Sequence, residues 1–161
     1  MPTRLGSLAL PGRVALAPWP LRAAERGVVG DDHLVFLGAR AQGGVALVLT
    51  EPTWVHTPDD GAVAAIATDE QAVAWRRIVE FVHGRSDATI GLDLCVELGR
   101  PRALDDLREA TWRAAFAGFD LLQLDLGADA AAALHHDWFR LVISVVRMNW
   151  PAGRPLASTV S

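Results

Sequence analysis

The chain of 161 residues contains no lysine, no tyrosine and a single cysteine, Cys95. One cysteine excludes an intramolecular disulfide and leaves any zinc site to His and carboxylate ligands. Positive charge comes from arginines scattered along a chain of formal net charge −4, with no basic run, so nothing calls for a nucleic-acid partner. No stretch approaches the roughly 20 apolar residues that span a bilayer. Near the N-terminus, Pro11, Gly12 and Arg13 interrupt any signal-peptide core. A reducing cytoplasm is the simplest setting for such a chain, and Met1 with no tag before it favours a natural start.

Apolar residues make up 51% of the sequence, enough for one domain with a real core over residues 1–161, and the length is short for two. Short apolar runs alternate with amphipathic segments: Arg13 to Pro18, Val45 to Thr50, Thr89 to Cys95, Leu121 to Leu126 and Pro155 to Val160. Runs rich in Val, Leu and Ile, set between helical patterns, predict parallel strands buried on both faces.

Four helices are expected between them. Asp31 to Gln42 forms the first, with Gly43-Gly44 as its stop. The second opens on a capping box, Thr68-Asp69-Glu70-Gln71, buries Trp75, Ile78, Val79 and Val82, and is expected to end at Gly84. Leu104 to Ala117 forms the third, packing through Leu107, Ala110 and Ala114 and stopping at Gly118. Ala130 to Asn149 forms the fourth. Repeated strand–helix units with right-handed crossovers allow either a doubly wound sheet or an arc of a (β/α)8 barrel. Leu5 to Pro11 alternates apolar and small residues, and predicts a hairpin that plugs the bottom of a barrel.

Six segments in order, "GRVALAPWP", "HLVFLGARAQGGVALVLTE", "DEQAVAWRRIVEFVH", "IGLDLCVELGR", "AAFAGFDLLQLDLGA" and "RPLASTV", resemble the old yellow enzyme family of NADH:flavin oxidoreductases. In particular they are similar to the barrel halves of two-domain flavoenzymes acting on aromatic acyl-CoA thioesters. The resemblance implies an α/β fold, a partial (β/α)8 TIM-barrel of about five parallel strands and four helices, with FMN at its C-terminal face. It further implies that the family's last three strands and the phosphate site built on them lie beyond this chain, and that the family's catalytic-tyrosine segment is deleted.

Mapped through that resemblance, the positions that carry the family's chemistry have changed. The fourth strand of the family ends in His and His or Asn, which donate to an oxyanion developing on the substrate, usually the largest catalytic term. Asp125 and Ala128 occupy those places here, and an ionised aspartate only accepts. A plainer role for Asp125 is to cap the loop after its strand. Asp93 replaces the glutamine that meets the flavin pyrimidine edge, and Thr159 replaces the arginine beside it. Ala17 and Pro18 keep the step that lies against the flavin. Pro20 replaces a hydroxyl or thiol and brings neither donor nor N–H. Pro52, between Glu51 and Thr53, replaces a small residue near the ring. Trp19 and Trp54 could stack on a planar ligand, although burial in the core is the commoner fate of tryptophan.

Other constellations are weaker. His135-His136-Asp137 invites a metal, but neighbours on a helix point about 100° apart and do not converge on one ion, so no metal site is expected. Cys95 has no basic partner in sequence and reads as a buried structural thiol. The leading expectation is a non-catalytic or accessory protein of a flavin-dependent oxidoreductase system, with no cofactor assigned and FMN the group if any. It would act as a homo-oligomer or in a heteromeric complex with a flavoenzyme, because a barrel arc leaves strand edges unpaired. The alternatives are an FMN-dependent NAD(P)H oxidoreductase completed by another chain, and a small-molecule binding module for an aromatic or CoA-linked ligand.

Overall fold

A computed structural model describes residues 2–5, 7–126, 143–144, 146–148, 150–154 and 156–159. A short antiparallel hairpin comes first, β1 (Thr3–Leu5) and β2 (Leu8–Leu10). Then follow β3 (Ala15–Leu16), α1 (Asp31–Gln42), β4 (Leu47–Leu49), β5 (Thr53–Trp54), α2 (Asp69–Arg85), β6 (Thr89–Cys95), α3 (Ala103–Ala117), β7 (Leu121–Asp125) and β8 (Leu156–Thr159). The strands after the hairpin form one parallel sheet in the order β3-β4-β6-β7-β8, with β5 also pairing β6.

That order follows the chain without reversal. A doubly wound sheet reverses where its strand order switches, whereas a barrel adds each strand beside the last, so the sheet is an arc of a barrel. The expected fourth helix, from Ala130 to Asn149, lies mostly outside the described residues; residues 143–144 and 146–148 are helical.

Side chains alternate across the strands, as a pleated backbone requires. Val48, Ile90, Leu92, Leu94, Leu122 and Leu124 face the helices and share the main core with Trp75, Ile78, Val79, Val82, Leu107, Ala110 and Ala114. The other face carries Leu47, Leu49 and Leu121, which pack with Leu8 and Leu10 of the hairpin. The hairpin therefore plugs the inner side of the arc near the strand starts, as its alternation predicts. Gly91 sits in this layer, where a Cβ would stand 2.7 Å from Leu49 Cδ2 and 3.2 Å from Leu121 Cβ.

The helix boundaries show which local signals dominate. Thr68 Oγ1 accepts the Gln71 N–H at 3.3 Å and Gln71 Oε1 accepts the Thr68 N–H at 3.1 Å, so the capping box forms as read. Trp75 is fully buried and donates Nε1–H to Ala65 O at 3.2 Å. Gly118, at φ +94°, ends α3 in the left-handed conformation that glycine alone adopts without strain. Gly84 does not end α2: the helix continues to Arg85, and Ser86 takes over, its N–H and Oγ both bonding Val82 O. The second predicted strand, Val45 to Thr50, contains β4, and the Thr50 N–H still donates to Gly91 O at 3.0 Å. Pro52 has no N–H for the ladder, and beyond it the chain pairs with β6 again as β5, a strand that the apolar runs do not predict.

Candidate functional site

The inner face changes character along the strands. Below it is the apolar layer of Leu49, Gly91 and Leu121; one step toward the C-terminal ends, Asp93 pairs in register with Gln123, and one step further Cys95 pairs with Asp125. Asp125 in turn is in register with Thr159 on β8. Period-two alternation thus carries Asp93, Cys95, Gln123 and Asp125 to one patch.

Asp93 is only 3% exposed. Its backbone N–H donates to Thr50 Oγ1, and its Oδ1 accepts from Gln123 Nε2, both at 3.0 Å. Burial pushes its carboxyl up from 3.8 to about 6, the Asp125 charge adds to the rise, and the Gln123 hydrogen bond opposes it. Cys95 is buried, and its thiol is pushed up to about 12 by desolvation, then by the charges of Asp93 and Asp125. A thiol held so high carries almost no thiolate at neutral pH, which agrees with its reading as structural. Gln123 was not singled out from the sequence; the signal was its two-residue spacing from Asp125.

A second polar cluster lies at the end of β4. Glu51 and His33 are both buried, with His33 Nε2 2.6 Å from Glu51 Oε1, at ion-pair distance although outside hydrogen-bond alignment. His33 Nδ1 accepts the Gly30 N–H at 3.2 Å, which places the ring proton on Nε2, toward Glu51. Glu51 Oε2 accepts the Leu21 N–H at 3.1 Å, and Thr53 Oγ1 donates to Glu51 O at 2.8 Å. The couple ties the segment after β3 to the end of β4 and the start of α1. His33 gave no sequence signal beyond a polar residue on an apolar helix face.

The remaining candidates sit around the strand tips. Ala17, Pro18, Trp19 and Pro20 follow β3 at the edge of the sheet, two strands from Asp93. Trp19 is 65% exposed, against the expectation of core burial, because the chain around it is proline-bounded and forms no regular element to fold it inward. Trp54 is half-buried, edge-on to His56 with centroids 5.4 Å apart. Burial, and then the charge of Arg100, lower the His56 pKa from 6.5. Pro52 is half-buried between β4 and β5. Ala128 and His135-His136-Asp137 lie outside the described residues, as does the side chain of Thr159. Among the described residues no cluster of His, Cys, Asp or Glu could hold a metal ion, and no helix is long and apolar enough to cross a membrane.

The patch is a poor match for FMN. Its inner face presents two carboxylates, Asp93 and Asp125, where a reduced flavin needs donors or a cation, and the strands of the sheet carry no arginine. Gln123 Nε2 spends one of its two N–H donors on Asp93 Oδ1.

No family model matches the chain. It is 34% identical to a probable NADPH dehydrogenase of Candida albicans over 86 residues, 52% of this chain and 21% of that protein. Among solved structures, morphinone reductase in complex with tetrahydroNAD superposes with a TM-score of 0.81 at 21% identity, covering 98% of this chain and 62% of that one. The old yellow enzyme homologue from Zymomonas mobilis gives 0.80 at 20% identity, covering 99% and 62%. The chain spans about three fifths of the length of these structures. It is thus similar to the old yellow enzymes in fold over nearly its whole length, and in sequence to an NADPH dehydrogenase over about half of it, which bears out the resemblance carried by its motifs.

Proposed function

We propose that this chain is a non-catalytic, accessory member of a flavin-dependent oxidoreductase system, a barrel arc of old-yellow-enzyme type whose inner face has exchanged flavin contacts for carboxylates. One observation carries the reading: Asp93, buried and coupled to Asp125, occupies the inner position from which a flavin-binding barrel would donate a hydrogen bond. A carboxylate there repels the electron-rich reduced ring, and each charge-assisted hydrogen bond lost weakens binding by about 1.5–3 kcal/mol.

The protein acts, in this reading, through self-association or a partner flavoenzyme in a reducing cytoplasm. Support for self-association comes from the outer face of the helices. Trp112 and Phe116 are exposed on α3 and stacked, with centroids 6.0 Å apart and planes at 12°, and Arg76 of α2 lies over Phe116. The rim carries both signs, Arg76 with Glu80 and Arg113 with Glu109. Such a surface is complementary to a second copy of itself.

The absorbance spectrum of the purified protein with an FMN titration tests the proposal. The expected result is a colourless protein with no saturable flavin spectral shift at micromolar FMN. Stoichiometric flavin with enone turnover would replace this reading by an FMN-dependent NAD(P)H oxidoreductase. The exposure of Trp19 favours a second reading, a binding module for an aromatic or CoA-linked ligand. Fluorescence quenching by aromatic acyl thioesters but not by FMN, lost in Trp19→Ala, would establish that one.

A further inference from the structure

At the opposite end of the sheet from Asp93 and Asp125, a cavity of about 500 Å³ opens where the chain enters β8. Arg147, Trp150, Gly153, Arg154 and Leu156 line it, with Ser7 of the hairpin turn. Its size falls within the range of small-molecule pockets. We propose that it binds a small organic oxyanion, through the guanidiniums of Arg147 and Arg154, the Ser7 hydroxyl and the indole N–H of Trp150.

The lining is one-sided. Among the described residues it contains two arginines and no carboxylate, and neither arginine is paired with a carboxylate. Arg154 is held in place rather than spent: one Nη1–H bonds Phe119 O at 2.9 Å, and its Cζ stands 5.8 Å from the Trp150 ring centroid. Most of its five donors remain for a ligand. The turn that presents it is fixed by Gly153 at φ +90° and by Arg154 N–H to Pro151 O at 3.2 Å.

An independent observation points the same way. Trp150 is only 6% exposed, and its Nε1 is buried with no acceptor among the described residues. Buried donors in native proteins almost always find a partner, and an oxygen of a bound anion in this cavity supplies one. Leu156 and Pro151 add an apolar wall, so the occupant carries a hydrophobic part beside its charge. A phosphate ester and an aromatic carboxylate share this chemistry.

Side-chain indole resonances of the ¹⁵N-labelled protein test the site, with Trp150 assigned through Trp150→Phe. Titration with phenyl phosphate and with benzoate should move the Trp150 indole signal saturably. Arg147→Ala should weaken the tighter of the two by about tenfold, with partial recovery in Arg147→Lys. Tighter binding of phenyl phosphate assigns a phosphate ester and tighter benzoate a carboxylate; either upholds the site. No saturation by either below about 10 mM, equal binding of benzylamine, or affinities unchanged in Arg147→Ala overturns it. These signals are independent of flavin, so the outcome stands whatever the FMN titration gives.

Discussion

Gln123 donates its side-chain amide to Asp93 Oδ1 at 3.0 Å across the β6–β7 pair, and it opposes the forces that raise the Asp93 carboxyl. Because the folded-state value of about 6 exceeds the ordinary 3.8, the folded chain holds a proton that the unfolded chain releases between those values. Stability from this group is therefore complete below about pH 4 and is lost as pH rises through 6. Asp93→Asn should remove that dependence and stabilise the protein at pH 7 by up to about 3 kcal/mol. Urea unfolding at pH 4.5 and pH 7 checks the sign. Gln123→Leu should move the Asp93 carboxyl further up, seen as a displaced carboxyl resonance in an NMR titration.

The buried couple of Glu51 and His33 should tolerate loss of either partner badly. Glu51→Ala leaves the Leu21 N–H without its acceptor and the buried His33 ring without its ion-pair partner, and removing one member of a buried pair costs about 3–5 kcal/mol. Glu51→Gln, which keeps an acceptor for Leu21, should cost clearly less. Urea midpoints rank the two variants, and amide exchange at Leu21 should quicken in Glu51→Ala first.

Gly91→Ala should be disfavoured by lack of room rather than by backbone conformation. The new methyl would meet Leu49 Cδ2 at 2.7 Å and Leu121 Cβ at 3.2 Å, and overpacking of this kind costs about 1–3 kcal/mol. Adding Leu49→Ala should recover part of the loss, a coupling that a double-mutant cycle reads directly.

Much of this architecture is legible in the residues themselves. The Thr68–Gln71 box, the Trp75 to Val82 stripe and the Gly118 stop are local signals, each satisfied within a few residues, and they survive folding unchanged. What was not legible depends on contacts between distant segments. Gly84 looks like a stop, yet Ser86 bonds Val82 O twice, so the helix runs one residue further, to Arg85. His33 and Glu51 are far apart in sequence, and only the seating of α1 against the end of β4 brings them together. The barrel arc itself became readable through motif order, because hydrophobic periodicity gives buried strands but not their neighbours.

Self-association should depend on the aromatic stack of α3. Trp112→Ser with Phe116→Ser removes exposed side chains that the core does not use, so thermal stability should change by less than about 1 kcal/mol. The same double variant should sediment as a lighter species than the parent at micromolar concentration. A parent that is already monomeric there would sink the self-association reading.

The elevated Cys95 thiol gives the protein an internal clock. In the native state a disulfide reagent meets neither thiolate nor an open path, so mixed-disulfide formation must wait for the strands around β6 to part. With no other sulfhydryl in the chain, the half-life of labelling reports one event, the opening of the barrel arc at its centre, and does so without any engineered probe.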